Sequence, residues 1–156
     1  MTRVLIAVDD SDVSVEAART ATELFGPDAE YLVVNVAEAG LASSTVPFGF
    51  VAPYDPAAGV ALGYGSAEEI VAAEQEALDV AEQVAETVAQ QADVEAAQVV
   101  SVAGDPASAI VQAAHEHHAD VIVVGSHEHG WFARLFDGSV RADVVRTADI
   151  PVLVVK

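Results

Sequence analysis

Residues 121–156 read VIVVGSHEHGWFARLFDGSVRADVVRTADIPVLVVK. The segment opens on a continuous apolar run, Val121–Val124, that stops at Gly125. A loop follows to Gly138, Ser139 to Thr147 reads as a helix, and Pro151–Lys156 is a second apolar run. Short unbroken apolar runs flanking a helix predict parallel strands buried on both faces, because a half-exposed strand would alternate polar and apolar residues. Gly125 allows close approach of backbone to a ligand. The first N–H groups of the helix, with the Ser139 hydroxyl, form an anion site. Arg134, Arg141 and Arg146, half of the six cations in the chain, fall within the same stretch.

The same rhythm extends toward the amino terminus. Val4–Val8 (VLIAV) predicts the first strand, and the polar turn Asp9-Asp10-Ser11-Asp12 supplies helix N-cap types. Val13 to Phe25 predicts a helix with Ala17, Ala18, Ala21, Leu24 and Phe25 on its inner face, stopped by Gly26-Pro27. Tyr31–Ala37 is the second strand. Ser66 caps a helix over 67–92 that carries Glu68, Glu69, Glu74, Glu76, Asp79, Glu82 and Glu86 without a single cation. Gln98–Ala103 is the third strand. Gly104-Asp105-Pro106 reads as turn, N-cap and first helical position, and the helix runs to His117. Five strands separated by helices predict an α/β, Rossmann-like single domain over 1–156, with a five-stranded parallel sheet covered on both faces. Ligands of such sheets bind beyond the carboxyl ends of the strands, where strand order reverses. The loops to watch are therefore Asp9–Asp12, Ala37 onward, and Gly125–Ser139.

Residues 39–66 interrupt the pattern. They hold five of the ten glycines, three of the six prolines and four of the nine aromatics, with Asp55 as their one charge. Loops of this length inside compact domains tend to be functional. The stretch reads as an insertion that folds as a flap over the crevice or onto a second subunit, and Phe48, Phe50, Tyr54 and Tyr64 need a dry surface.

Composition narrows the function classes. The chain has 156 residues, no cysteine, and 6 Lys+Arg against 25 Asp+Glu, a net charge of −19, yet 53% of it is apolar. Disulfide frameworks, thiolate metal sites and cysteine nucleophiles are excluded. Nucleic acid is a poor partner for so acidic a surface. No secretory signal and no membrane-length apolar run is read, so a soluble cytoplasmic protein is expected. Lys156 is the sole lysine. An acidic coat with few lysines suits a high-salt cytoplasm, in which the Debye length falls to about 3 Å at molar salt and self-repulsion is screened.

VLIAVDDS, the valine-rich second strand, GDP before a helix, and ADVIVVGSHEHGWFARLFDGSV with ADIPVLVVK together resemble the universal stress protein family over nearly the whole chain. The resemblance implies an adenine nucleotide alpha hydrolase-like version of the Rossmann-like fold. Its nucleotide-binding members carry glycine, two residues, glycine, nine residues, then glycine and serine or threonine. This chain has Gly125, Glu128 in place of the second glycine, then Gly138 and Ser139 in register. The resemblance implies that Asp9 contacts the nucleoside and that the Val36 backbone reads the adenine edge. It gives the ribose and phosphate wall to Gly125 and the loop after it, and the phosphates to Gly138, Ser139 and Val140. Asp10 stands where the family has glycine, and His127 where it often has arginine. Glu128 sets a negative charge beside a polyanion, a repulsion of about 4 kcal/mol near 4 Å at an effective dielectric of 20. Adenosine or AMP suffers less from it than ATP, and a bound divalent ion such as Mg²⁺ relieves it.

The resemblance thus implies a stress-response binding protein that takes ATP or another adenine nucleotide, with Mg²⁺, and acts through conformation or partner contacts. The rival is a dimeric adaptor or chaperone-like protein of the same family that binds no nucleotide. No Ser-His-Asp order, paired carboxylates or complete phosphate-loop run supports catalysis, and slow ATP hydrolysis would lack an evident base. His115, His117 and His118, and His127 and His129, are spaced less like metal ligands than like helix-end and loop residues, so no metal is expected. The apolar strand Pro151–Lys156, where the family commonly pairs, predicts a homodimer through that edge.

Overall fold

The computed structural model describes residues 1–38, 67–94, 97–126 and 140–156. In chain order they form β1 (Arg3–Ala7), α1 (Asp12–Phe25), β2 (Glu30–Glu38), α2 (Ala67–Gln91), β3 (Gln98–Gly104), α3 (Pro106–Glu116), β4 (Val121–Gly125), α4 (Val140–Thr147) and β5 (Val152–Val155). The five strands make one sheet in the order β3-β2-β1-β4-β5, and every neighbouring pair is parallel. The expected α/β architecture is therefore the observed one, and β5 lies at an edge as expected. The insertion at 39–66 lies outside the described residues.

Local signals act where the sequence places them. Gly26 adopts φ 74°, open to glycine without strain, and its N–H closes α1 on the Thr22 carbonyl. Asp105 caps α3 by accepting from Ser108 N at 3.1 Å, and Pro106 occupies the first helical position, where its missing N–H is not needed. β5 begins one residue later than expected. Pro151 cannot donate to the ladder, but its carbonyl accepts from Ile122 N at 3.0 Å.

Strand alternation divides the core in two. Val4, Ile6, Val8, Val33, Val121 and Val123 pack with Ala17, Ala18, Ala21, Ala85 and Val88 on the α1/α2 face. Leu5, Ala7, Val34, Val36, Ile122 and Val124 pack with Ile110, Ala113 and Ala114 of α3 on the other. Alanines on the inward stripes of α1 and α3 bring both helices close to the sheet. One expectation for the helices needs correction. Leu24 is 62% exposed, not inward. At 100° per residue it sits about 70° from the centre of the stripe through Ser14, Ala17, Ala18 and Ala21. Along α2, residues 71–76 are all exposed, as is Val80, while Ala81, Ala85, Val88 and Ala89 are buried.

Candidate functional site

The chain runs from β1 outward through β2 to β3, then returns to the opposite side of β1 for β4 and β5. Strand order thus reverses between β1 and β4, where open α/β sheets form a crevice at their carboxyl ends. Three of the sequence-predicted residues sit at this edge. Asp9 follows β1, Gly125 is the last residue of β4, and Val36 lies near the end of β2, past the last β1–β2 rung, Ala7↔Val34. Val34 turns its carbonyl to β1, where it accepts from Val8 N at 2.9 Å. Backbone direction repeats every second residue along a strand, so the Val36 backbone faces the same side, beyond the end of β1. Val140 is the first residue of α4. His127, Glu128, Gly138 and Ser139 lie outside the described residues.

Asp9 is the most unusual group at this edge. It is 1% exposed, and few carboxylates are buried without compensating bonds. Its Oδ1 accepts from Ser14 Oγ at 2.6 Å, from Ser11 N at 3.1 Å and from the Ser11 hydroxyl. Its backbone N–H donates to Ser14 Oγ at 2.8 Å. Its Oδ2 is buried and has no hydrogen-bond partner among the described residues. The helix α1 starts at Asp12, one residue earlier than expected, with Ser11 at its N-cap, but the Ser11 hydroxyl makes no capping bond to the helix and turns to Asp9 instead. Asp10 and Asp12, on either side of Ser11, are exposed. They also line a groove of about 360 Å³ that continues between α1 and α2 past Gln83, Thr87 and Gln91 and contains no cation.

Gly125 has a reason to be glycine that the strand-end pattern did not reveal. A Cβ there would lie 2.8 Å from Val13 Cγ1 and 3.1 Å from the Val13 carbonyl oxygen. The first turn of α1 is what approaches β4 so closely, so Gly125 fixes the seat of the helix that carries Ser11 and Ser14. The next residue, Ser126, donates its N–H to the Val155 carbonyl at 2.6 Å and ties β4 to β5 past the end of the ladder.

Sequence reasoning missed Asn35 and Ser14. Asn35 is 6% exposed and donates Nδ2 to the Val8 carbonyl at 2.7 Å, bridging β2 to the residue before Asp9. The one polar residue in the apolar run YLVVNVA is the signal that could have found it. Ser14 is 2% exposed within the alanine stripe of α1, a position where a hydroxyl needs a partner.

The histidine cluster resolves into separate contacts. His115 Nε2 lies 3.1 Å from Asp149 Oδ1, His117 is the C-cap of α3, and His118 adopts φ 54°. No group of three or more His, Asp or Glu side chains among the described residues is arranged to hold a metal ion. His127 and His129 lie outside them. No helix of the described residues is long and apolar enough to cross a membrane.

Against known proteins, a universal stress protein from Methanocaldococcus jannaschii, MJ0531, is 33% identical across 99% of this chain and 81% of its own length. The stress response protein NhaX of Bacillus subtilis is 43% identical over 53 residues, a segment of 34% of this chain and 32% of that protein. A solved universal stress protein in complex with cAMP shares the fold, with a TM-score of 0.61 and 22% identity over 99% of this chain and 97% of that one. The profile of the universal stress protein family matches residues 1–156. The chain belongs to the universal stress protein family.

Proposed function

We propose that this protein binds an adenine nucleotide at the carboxyl edge of its sheet, between β1 and β4, and acts through conformation or partner contacts and not through turnover. The observation that carries this reading is Asp9, a carboxylate 1% exposed at the switch point with one buried oxygen lacking any partner. An orphaned buried acceptor costs about 1–3 kcal/mol, and a ligand donor would offset that cost. Val36 and Gly125 flank it on the adjoining strands. A protein of the same fold holds cAMP, which supports the same ligand class here. His127, Glu128, Gly138, Ser139 and Val140 complete the proposed site, with Mg²⁺ as the counter-ion a triphosphate would need beside Glu128.

The experiment is calorimetry with ATP, ADP, AMP and adenosine in molar KCl with Mg²⁺. Heat of binding with at least one of them, with AMP or adenosine no weaker than ATP, is expected. No heat and no rise in melting temperature with any of the four would favour the nucleotide-free adaptor.

The setting proposed for this function is a high-salt cytoplasm. With −19 net charge and an α2 that exposes Glu74, Glu76, Asp79, Glu82 and Glu86, repulsion within the fold weakens only as salt screens it. The melting temperature should rise from 0.1 to 3 M KCl, and a flat profile would remove the halophilic reading. The proposed assembly is a homodimer through 151–156. β5 pairs with β4 on one side, and no described strand pairs with the other. Val155 is 8% exposed and belongs to the core, so the contact would be made by backbone and not by that side chain. Light scattering should give about twice the 16.1 kDa chain mass.

A further inference from the structure

We propose that Ser14, with Ser11, is a positioning residue. It loads one oxygen of Asp9 with donors and so reserves the other, Oδ2, for a hydrogen-bond donor on the nucleoside part of the ligand. This rests on the adenine-nucleotide reading and adds to it the residues that set which group of the nucleotide Asp9 meets.

A carboxylate accepts at about four lone-pair sites shared between two oxygens. Here the donors are divided unevenly. Oδ1 takes Ser14 Oγ at 2.6 Å, Ser11 N at 3.1 Å and the Ser11 hydroxyl, while Oδ2, equally hidden from water, takes none. All three donors come from the start of α1, so they hold the carboxylate plane from one side. Either oxygen could chemically accept them, and it is their common origin that decides which is left open.

The serines give up their ordinary roles to do this. A serine at an N-cap accepts a helix N–H, and Ser11 makes no such bond. Ser14 uses its lone pairs to accept Asp9 N at 2.8 Å and its single proton to reach Oδ1, so one hydroxyl fixes both the backbone and the side chain of Asp9. Gly125 lets α1 sit close enough for this, since any Cβ there would strike Val13.

The open oxygen selects by chemistry. Ionised phosphate oxygens only accept hydrogen bonds and carry like charge, so they cannot satisfy Oδ2. A ribose hydroxyl or a base N–H can, and the contact recovers what the buried oxygen lost on leaving water. The phosphates must therefore lie away from Asp9.

The test is calorimetry on the full chain in molar KCl, with adenosine, AMP and ATP as separate probes, and with melting temperatures measured alongside. Ser14→Ala should weaken all three ligands by the same factor, about tenfold or more, because the affected contact is on the moiety they share. Ser11→Ala should give a smaller common loss, and Ser11→Thr, which keeps the hydroxyl, should restore wild-type affinity. Should Ser14→Ala not fold, the Ser11 pair decides alone. A lower melting temperature with all three affinities within twofold of wild type would make the serines merely structural and overturn the proposal. So would a loss that grows with phosphate count. Absence of binding by the wild-type protein overturns the nucleotide reading itself, and this inference with it.

Discussion

At the amino end of the sheet, Arg3 Nε meets Glu30 Oε2 at 2.6 Å, Arg3 Nη1 reaches the His117 carbonyl at 3.4 Å, and Arg3 N donates to Asp120 Oδ2 at 2.8 Å. Asp120 N and Glu30 N return backbone bonds to the carbonyls of Arg3 and Thr2. Arg3, Glu30 and Asp120 thus each face an opposite charge or a backbone group, and both members of the ion pair are about half exposed. At the carboxyl end, Asp9 is buried and, among the described residues, has no cation as partner; three donors crowd one oxygen and the other has none. The amino end contains its own cavity, about 250 Å³ lined by Arg3, Glu30, Gln98, Glu116, His117 and His118, but among the described residues no buried side-chain polar atom there lacks a partner. A fold can close an edge with self-satisfying polar groups, and this one does so at a single end. On the proposed nucleotide reading, the unsatisfied atom at the other end is where local stability yields to recognition.

The difference can be broken by substitution, and the largest effect is expected at Gly125. Adding one methyl there forces Val13 and the first turn of α1 away from β4, since Cγ1 would be at 2.8 Å and backbone oxygen at 3.1 Å. Overpacking of this kind costs about 1–3 kcal/mol. Gly125→Ala should lower the unfolding free energy from denaturant titration by that amount and weaken nucleotide binding as well, because the start of α1 supplies Ser11 and Ser14. Unchanged stability would mean that α1 is not seated as tightly as the carboxyl-edge argument requires.

Legibility in the sequence followed the same division. Every strand and helix of the described residues was readable from apolar runs and punctuation, because burial on both faces leaves an unmistakable pattern in VLIAV or VIVV. Asp9 was also legible as a polar residue at a strand end, but its orphaned oxygen was not. That atom depends on which way two serine hydroxyls turn, and a serine after a strand reads equally well as a helix cap. Gly125 was legible as glycine, but its close packing against α1 was not, since a motif cannot say that a helix makes a close approach there. Leu24 failed because stripe width matters: a helix whose inner face is alanine buries a narrow strip, and a leucine on its flank stays in water.

A smaller effect is expected at Tyr31, near the amino end of β2. It is 6% exposed and donates its hydroxyl to the Gly26 carbonyl at 2.6 Å. Burial pushes its pKa above the ordinary 10.0. The folded state therefore holds the proton after the unfolded chain has lost it. The contribution is fully present below pH 10 and declines as pH rises through the folded value. Tyr31→Phe should cost about 1 kcal/mol at pH 7, the net worth of one hydrogen bond. The gap between the two proteins should narrow above pH 10, followed by denaturant midpoints across that range. A gap constant with pH would mean that the hydroxyl is not shielded from water.

The smallest effect is expected at Arg3. Its ion pair with Glu30 is short, but both side chains are 47% exposed, and exposed pairs contribute about 0.2–1 kcal/mol. The backbone bonds of Arg3 to Asp120 survive truncation, so the sheet keeps its register. Arg3→Ala also takes one of only six cations from a chain of net charge −19. The loss should therefore be largest in dilute buffer and fade toward zero as the Debye length shrinks from about 10 Å at 0.1 M salt to about 3 Å at 1 M. Melting curves of both proteins along a KCl series would show the two converging. A cost that persists undiminished in molar salt would point to packing of the arginine stem against the amino edge. One that exceeded the cost of Gly125→Ala would reverse the contrast drawn between the two ends.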